Sequence, residues 1–210
     1  MDAKGNLLDN EYRYNDHQLS CTHSYLVPAL LKLIPCDKKL HILDLGCGNG
    51  SLSGLLVDLG YSVVGIDSSE TGIKIAKEAF PKCDFLKVDI YELPYEILEN
   101  RFDIILAMDV IEHLYWPGHL LKAARRCLKQ GGRFIISTPY HGYFKNLVLS
   151  FFNGWDRHFT ATWDGGHIKF FSLKTLFDLL REEGFVVIEY KGAGRVRYLW
   201  KSMLIKSRLK

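Results

Sequence analysis

The chain has 210 residues, of which 48% are hydrophobic and 24% charged, and its formal net charge is +3. This length and apolar content can fill one sizeable core, and no polar linker or repeat divides the chain, so we expect a single domain over residues 1–210. The small net charge argues against nucleic acid as a partner, and five cysteines without a C-x-x-C pair argue against a disulfide framework or a zinc site.

The N-terminal part predicts a helix ahead of the first strand. Residues 1–6 are polar and no run of about 18 apolar residues occurs, so we expect neither a secretory signal nor a membrane span, and a cytoplasmic protein. Residues 17–35 carry apolar side chains at helical spacing as far as Pro35. We expect residues 1–36 to form a helical cover over a ligand pocket.

Residues 42–50, Ile-Leu-Asp-Leu-Gly-Cys-Gly-Asn-Gly, form the most informative segment. The apolar run is typical of a parallel strand buried on both faces, and the glycines let the backbone approach a ligand at a helix N-terminus. A second predicted strand, 61–66, ends at Asp67, where folds of this kind hold ribose hydroxyls. The segment therefore predicts a cofactor that contains a nucleoside.

The glycine spacing argues against a dinucleotide. The fingerprint G-x-G-x-x-G would need a third glycine at position 51, which is Ser51. Asp44 would also bring a carboxylate close to a pyrophosphate, which charge repulsion disfavours. S-adenosylmethionine carries a sulfonium and an ammonium and no phosphate, so it suits this pattern better.

The rest of the chain alternates predicted strands with predicted helices. Further strands are expected at 84–88, 102–108, 133–137, 185–190 and 201–207. Helices are expected at 49–59, from Ser68 or Ser69 to residue 79, at 117–128 and at 172–183. This alternation indicates an α/β fold with a mostly parallel sheet and helices on both faces.

Four ordered motifs resemble those of one enzyme family. They are residues 42–50, 88–90, 102–113 and 128–137. With them the chain resembles the class I (Rossmann-like) S-adenosylmethionine-dependent methyltransferases, in particular small-molecule O-methyltransferases of the ubiquinone-biosynthesis type. The resemblance implies a three-layer fold whose seven-stranded, mostly parallel sheet has an antiparallel last strand. It also implies S-adenosyl-L-methionine as cofactor and S-adenosyl-L-homocysteine as product.

The resemblance also assigns the cofactor residues. Asp44 is expected to bind the ammonium of the methionine moiety, Asp67 the ribose hydroxyls and Asp89 the adenine amino group. Each has a plainer alternative, as a helix cap for Asp44 or Asp67 and as a solvated loop acid for Asp89. The full expected set is Asp44, Gly46, Cys47, Gly48, Gly50, Asp67, Ser68, Asp89, Ile90, Met108 and Asp109.

The methyl acceptor is expected under an aromatic lid at 140–170, on the carboxyl side of the sheet. His113, His158 and His167 are the candidate general bases, since an imidazole near its usual pKa can take a proton from a phenol. Each could instead serve packing or hold a loop. The aromatic residues of the lid favour a flat or apolar acceptor. They are Tyr140, Tyr143, Phe144, Phe151, Phe152, Trp155, Phe159 and Trp163.

Two further stretches lead to predictions about which parts of the chain are buried and which lie at the surface. Residues 143–152 place apolar side chains on one helical face, which we interpret as core in preference to weak peripheral contact with a membrane. Alternating lysines and arginines near the C-terminus predict an edge strand.

The predicted function is methyl transfer from S-adenosylmethionine to a hydroxyl oxygen of a small molecule such as a quinol or phenol. A carboxylate, amine or RNA acceptor would use the same cofactor residues, and so would a non-catalytic protein that binds S-adenosylmethionine. The sequence leaves the acceptor and the oligomeric state open.

Overall fold

Seven strands form one sheet in the computed structural model, which describes residues 12–159, 161–163 and 165–210. They are β1 (His41–Leu45), β2 (Ser62–Asp67), β3 (Asp84–Lys87), β4 (Phe102–Met108), β5 (Leu128–Pro139), β6 (Phe185–Ala193) and β7 (Ser202–Leu209). The sheet order is β3-β2-β1-β4-β5-β7-β6, with β7 antiparallel to both neighbours and the first five strands parallel. The predicted sheet is confirmed.

Helices cover both faces of the sheet. They are α1 (His23–Leu31), α2 (Ser51–Asp58), α3 (Glu70–Ala79), α4 (Tyr95–Leu98), α5 (Pro117–Cys127), α6 (Tyr143–Phe151), α7 (Trp155–Phe159) and α8 (Leu173–Glu182). A 3-10 turn at Ile111–His113 follows β4. In the described part of the chain, no helix combines the length and the apolar character that a bilayer crossing requires.

The sheet separates two apolar cores. Since side chains alternate along a strand, Leu43 and Leu45 of β1 join one core and Ile42 joins the other. The first core contains buried residues of α5 and α8, namely Leu120, Leu121, Leu176 and Leu180. The second contains buried residues of α1, α2 and α3, namely Leu26, Leu30, Leu56, Ile73 and Ala76. Both faces are therefore covered, and the carboxyl edge of the parallel strands is where ligands bind in such folds.

The C-terminal strand lies inside the sheet and not at its edge, so that prediction is wrong. β7 inserts between β5 and β6, and Met203, Leu204 and Ile205 are fully buried. The β6–β7 hairpin places β7 next to β5, so β6 forms the edge of the sheet. The alternating lysines and arginines indicate that the end of β7 is exposed. They do not indicate which strand of the β6–β7 hairpin forms the edge of the sheet.

Strand β5 begins at Leu128, five residues earlier than predicted. Leu128 already pairs with Phe102 of β4, and the register shifts before Arg133 pairs with Ile104. The Gly131-Gly132 turn is thus an irregularity within the strand.

The apolar face of residues 143–152 is exposed, so its interpretation as core is wrong. Tyr143 and Phe151 are 83% and 80% exposed, whereas Lys145 is 4% exposed. Helix α6 therefore turns a cation inward and its aromatic side chains outward. The Lys145 Nζ donates to the Tyr140 carbonyl at 2.8 Å, which gives the buried charge a polar partner.

Replacing Ser172 should weaken α8. Its Oγ accepts from the Thr175 N–H at 3.2 Å, and the Thr175 Oγ1 accepts from the Ser172 N–H at 2.9 Å, which is a capping box. We expect Ser172→Ala to lower the free energy of unfolding by about 1 kcal/mol, because a helix N–H loses its acceptor. Urea unfolding followed by circular dichroism measures the change. Ser62→Ala, at the exposed start of β2, is the control and should change it by less than about 0.5 kcal/mol. Equal effects of the two variants would contradict the capping role.

Candidate active site

The glycine loop after β1 adopts a backbone that favours glycine at three positions. Gly46, Gly48 and Gly50 have φ values of +78°, +55° and +74°. The N–H groups of Gly46 and Cys47 donate to the Ile66 carbonyl at 2.8 and 2.9 Å. These bonds hold the loop against the carboxyl end of β2, which brings the first two strand ends into one site.

Asp67 ends β2 and links the glycine loop to α3. Its Oδ2 accepts from the Gly48 N–H and its Oδ1 from the Ser69 N–H, both at 2.8 Å. Ser69 is the cap of α3, since its Oγ accepts from the Gly72 N–H at 3.0 Å. Ser69 therefore caps α3, which was the plainer alternative role for Asp67. Ser68 is exposed.

Asp44 is almost completely buried beneath the loop. Its Oδ2 accepts from the Ser53 hydroxyl at 2.6 Å. Burial raises the pKa of Asp44 to about 6, and the charge of Asp67 acts in the same direction. A cation beside Asp44 would oppose both effects and favour the carboxylate.

Asp109 follows β4 in a left-handed conformation, with φ +55°. The Ser137 hydroxyl donates to its Oδ1 at 2.7 Å, and the Asp109 N–H donates to Ser137 Oγ at 2.9 Å. Burial raises the pKa of Asp109 to about 6. These two hydrogen bonds therefore fix the orientation of the Asp109 carboxyl group, directly after the last residue of β4.

Asp89 and Ile90 lie beyond the carboxyl end of β3. Asp89 is exposed, and its Oδ1 accepts from the Tyr91 N–H at 2.9 Å. Ile90 packs against the first core. The predicted cofactor residues thus come together along the carboxyl ends of β1 to β4, and their contacts with a cofactor stay predictions.

An extended segment, Tyr12 to Gln18, lies over the glycine loop ahead of α1. The Tyr12 carbonyl accepts from Ser69 Oγ at 2.8 Å, and the Tyr14 N–H donates to Thr71 Oγ1 at 3.2 Å. Asn49 Nδ2 donates to the carbonyls of Asp16 and Gln18 at 2.8 and 3.0 Å. A Cβ on Gly48 would lie 2.4 Å from the Tyr14 hydroxyl. The helical cover expected over residues 1–36 is wrong for residues 12–22, which precede α1 and are not helical. Residues 1–11 of that cover lie outside the described residues.

A cavity of about 280 Å³ opens beside Asp109. It is bounded by the start of α1, by the 139–167 stretch and by the β6–β7 connection. Its lining residues are Thr22, Tyr25, Asp109, Pro139, His141, Lys145, His158, Phe159, His167, Arg195, Lys201 and Ser202.

Glu112, His113 and His167 form a cluster next to this cavity, in which Glu112 is buried and the two histidines are half-buried. Each offers one ligand atom, and these atoms lie within 4.8 Å of one another. Glu112 Oε1 is 3.9 Å from His167 Nε2, and neither Glu112 oxygen has a hydrogen-bond partner of good geometry in the described residues. Burial raises the pKa of Glu112 well above its usual value. Burial also lowers the pKa of His113, and it lowers the pKa of His167 to about 4.

The imidazole of His113 is oriented by the lid. Its Nδ1 lies 3.0 Å from the Gly165 carbonyl, so Nδ1 carries the proton and donates it. In this tautomer Nε2 is the nitrogen that carries the lone pair. This is the arrangement in which proteins hold imidazole bases and metal ligands.

The structure divides the three predicted bases between two groups. The rings of His113 and His167 are 4.9 Å apart, while His158 lies 5.4 Å from His141 at another part of the cavity wall. Sequence reasoning missed Glu112 and Lys145. For Glu112 a signal existed, since an acid between the apolar Ile111 and a histidine in an otherwise buried segment is unusual; Lys145 gave none.

Comparison with known proteins shows the family to which this chain belongs. Residues 15–190 match the family described as methyltransferase domain. The ubiquinone biosynthesis O-methyltransferase of Roseobacter denitrificans is 33% identical over 174 residues, which are 78% of this chain and 68% of that enzyme. Further ubiquinone biosynthesis O-methyltransferases are matched over 62% and 63% of their length, so the chain spans less than two thirds of those relatives.

Two solved structures share the fold. The PH0226 protein of Pyrococcus horikoshii OT3 has a TM-score of 0.71 at 23% identity, over 94% of this chain and 95% of that one. The 1,6-didemethyltoxoflavin-N1-methyltransferase of Burkholderia thailandensis, solved with 1,6-didemethyltoxoflavin and S-adenosylhomocysteine, has a TM-score of 0.63 at 18% identity, over 88% and 75%. Because the family match covers most of the sequence and a relative above 30% identity spans 78% of it, the chain belongs to the class I S-adenosylmethionine-dependent methyltransferases.

Proposed function

We propose that this methyltransferase transfers the methyl group to a hydroxyl oxygen of a small molecule, of the quinol or phenol type. The observation that carries the proposal is the cavity beside Asp109, which has an aromatic and histidine lining and adjoins the cluster of Glu112, His113 and His167. A pocket of this size and lining suits a one-ring acceptor. The similarity to ubiquinone biosynthesis O-methyltransferases supports an oxygen acceptor.

In this proposal the cofactor lies along the carboxyl ends of β1 to β4. Asp67 holds the ribose hydroxyls and Asp44 the methionine ammonium, directly or through water. Asp89 and the Ile90 N–H bind the adenine. Met108 and Asp109 lie at the methionine end, which puts the reactive methyl next to the acceptor cavity.

The chemistry requires positioning first and proton removal second. The sulfonium already activates the methyl group, so holding the acceptor oxygen about 3 Å away, in line with the breaking bond, supplies most of the acceleration. An acceptor hydroxyl must also lose its proton. Burial keeps His113 and His167 neutral but makes each a weaker base than a free imidazole. A proton transferred to either ring would therefore need the Glu112 carboxylate beside it to stabilise the imidazolium that forms.

The same cluster fits a divalent cation, although the sequence predicts none. Two imidazoles and a carboxylate with unpartnered oxygens form a common donor set for such an ion. A cation held by Glu112, His113 and His167 would lower the pKa of an acceptor hydroxyl.

The competing functions have less support. A non-catalytic binding protein would be expected to lack room for an acceptor, so the cavity beside Asp109 supports an enzyme. An RNA acceptor would favour a basic stripe with exposed aromatic residues, whereas the exposed aromatic face of α6 has its lysine turned inward. Carboxylate and amine acceptors would fit the same cofactor residues.

We also propose that α6 contacts a membrane surface weakly. Tyr143, Phe144, Leu147, Phe151 and Phe152 are between 50% and 83% exposed and lie next to the cavity wall formed by Lys145. Such a face can enter the headgroup region of a bilayer, where an apolar acceptor would be found.

Replacing Asp67 should remove cofactor binding. Asp67→Asn keeps the side-chain shape but loses the charge that accepts two ribose hydroxyls, so we expect S-adenosylhomocysteine to bind at least about 100-fold more weakly by calorimetry. Asp84→Ala, at the exposed start of β3, is the control and should bind normally. Near-normal affinity of a folded Asp67→Asn protein would contradict the ribose assignment.

Replacing Glu112 or His167 should slow methyl transfer with cofactor binding intact. We expect Glu112→Gln and His167→Ala each to lower kcat about 100-fold, because the first removes the carboxylate partner of the imidazole that takes the acceptor's proton and the second removes an imidazole. Release of S-adenosylhomocysteine from a panel of hydroxylated quinones and phenols measures the rate. His41→Ala, exposed at the opposite end of β1, should leave the rate unchanged. Loss of activity on chelation and its return with Mg²⁺ or Zn²⁺ would indicate a cation, whereas unchanged turnover in both variants would remove the cluster from the mechanism.

Removing the exposed phenylalanines of α6 should weaken membrane contact. We expect Phe151→Ser with Phe152→Ser to lower the fraction that sediments with phosphatidylcholine and phosphatidylglycerol vesicles about tenfold, because two buried rings are lost from the interface. The control pair Ile97→Ser with Val186→Ser removes exposed apolar side chains elsewhere and should bind as the parent does. Equal sedimentation of both pairs would refute the contact.

A further inference from the structure

Cations converge on the acceptor cavity from two parts of the chain. Lys145 comes from α6, and Arg195 and Lys201 come from the connection between β6 and β7. Asp109 is the acid among the lining residues, and its Oδ1 already accepts from the Ser137 hydroxyl at 2.7 Å. The cavity therefore has an excess of positive charge.

Lys145 is a buried ammonium without a carboxylate. It is 4% exposed, and its hydrogen bond goes to the backbone carbonyl of Tyr140. In the described residues, neither Lys145 nor Arg195 nor Lys201 forms an ion pair. Burial, and then the charge of Arg195, lowers the pKa of Lys145 to about 8. A buried cation of this kind is costly unless an anion compensates its charge.

Arg195 reaches the cavity from a strained backbone. Its φ is +65°, directly after Gly194 at +66°, and a left-handed residue other than glycine persists where its surroundings fix it, commonly at ligand sites. The guanidinium presents a planar fork that matches the oxygens of a carboxylate or a phosphate.

The remaining wall is suited to a flat ring. His141 stacks on Phe159 with ring centroids 5.7 Å apart and planes 14° from parallel, and His158 lies beside them. Burial and the charge of Lys145 lower the pKa of His141 to about 4, so this imidazole stays neutral and acts as part of the ring wall.

We infer that the acceptor carries an anionic substituent, a carboxylate or a phosphate monoester, which Lys145 and Arg195 bind while the hydroxyl group faces the cofactor. This inference rests on the proposed hydroxyl acceptor and narrows it to anionic aromatic molecules. Lys145 and Arg195 are then the residues that determine acceptor specificity.

Three matched ligands test the inference by binding alone. Catechol, 3,4-dihydroxybenzoate and catechol monophosphate are titrated by calorimetry into the full chain saturated with S-adenosylhomocysteine. We expect the two anions to bind at least about tenfold more tightly than catechol, and their order distinguishes a carboxylate site from a phosphate site. Lys145→Gln and Arg195→Gln should each remove about tenfold of the preference and change catechol affinity less than twofold.

Two further variants separate a role in binding from a role in folding. Lys145→Arg should keep most of the preference, and Lys174→Gln, which removes an exposed lysine on α8, should keep all of it. Equal binding of the three ligands, binding of none, or a preference that Lys145→Gln and Arg195→Gln both leave intact would overturn the inference. The Arg195 variant alters an exposed connection, so it remains informative if Lys145→Gln does not fold.

Methyl transfer to the same ligands is measured separately with S-adenosylmethionine. If the anions bind with the expected preference but none is methylated, the anion site stands and the proposed hydroxyl acceptor fails. If catechol is methylated and no ligand shows an anion preference, the proposed function stands and the anion site fails.

Discussion

The site depends on carboxyl groups that are buried or partly buried at one edge of the sheet. Asp44 precedes the glycine loop, and Asp109 and Glu112 follow β4. In the described residues none of them pairs with a lysine or arginine, and burial raises the pKa of each. Desolvation disfavours an isolated ionised acid, and a cationic ligand offsets that cost. In the proposed cofactor position, the ammonium and sulfonium of S-adenosylmethionine would offset the cost of ionising Asp44 and Asp109.

Acidic and basic side chains lie in different parts of the site. The acids line the ends of β1 and β4, whereas Lys145 and Arg195 line the acceptor cavity, and Asp109 lies where the two parts meet. A direct ion pair between Lys145 and an acid would satisfy both groups without a ligand, and the described residues contain none. Under the proposed function, each part would favour a ligand group of the opposite charge.

The sequence predicts those parts of the structure that depend on neighbouring residues. The apolar runs of β1 and β4, the glycine positions and the acid at the end of β2 follow from strand burial and from backbone conformations that only glycine adopts easily. Parallel connections then bring the strand ends to one edge, so the cofactor residues could be placed together. The insertion of β7 inside the sheet and the path of Tyr12 to Gln18 over the glycine loop could not be predicted, because both depend on contacts between distant segments.

Helix α6 shows why hydrophobic periodicity alone misplaces a functional helix. The pattern of residues 143–152 distinguishes an apolar face from a polar one, and a helix on an ordinary core buries the apolar face. Here the buried side chain of the helix is Lys145, which lines the cavity and donates to the Tyr140 carbonyl. The apolar face is then left exposed by the same rotation. The orientation of α6 thus gives both the cation in the cavity wall and the exposed aromatic surface, so the two features have one structural cause.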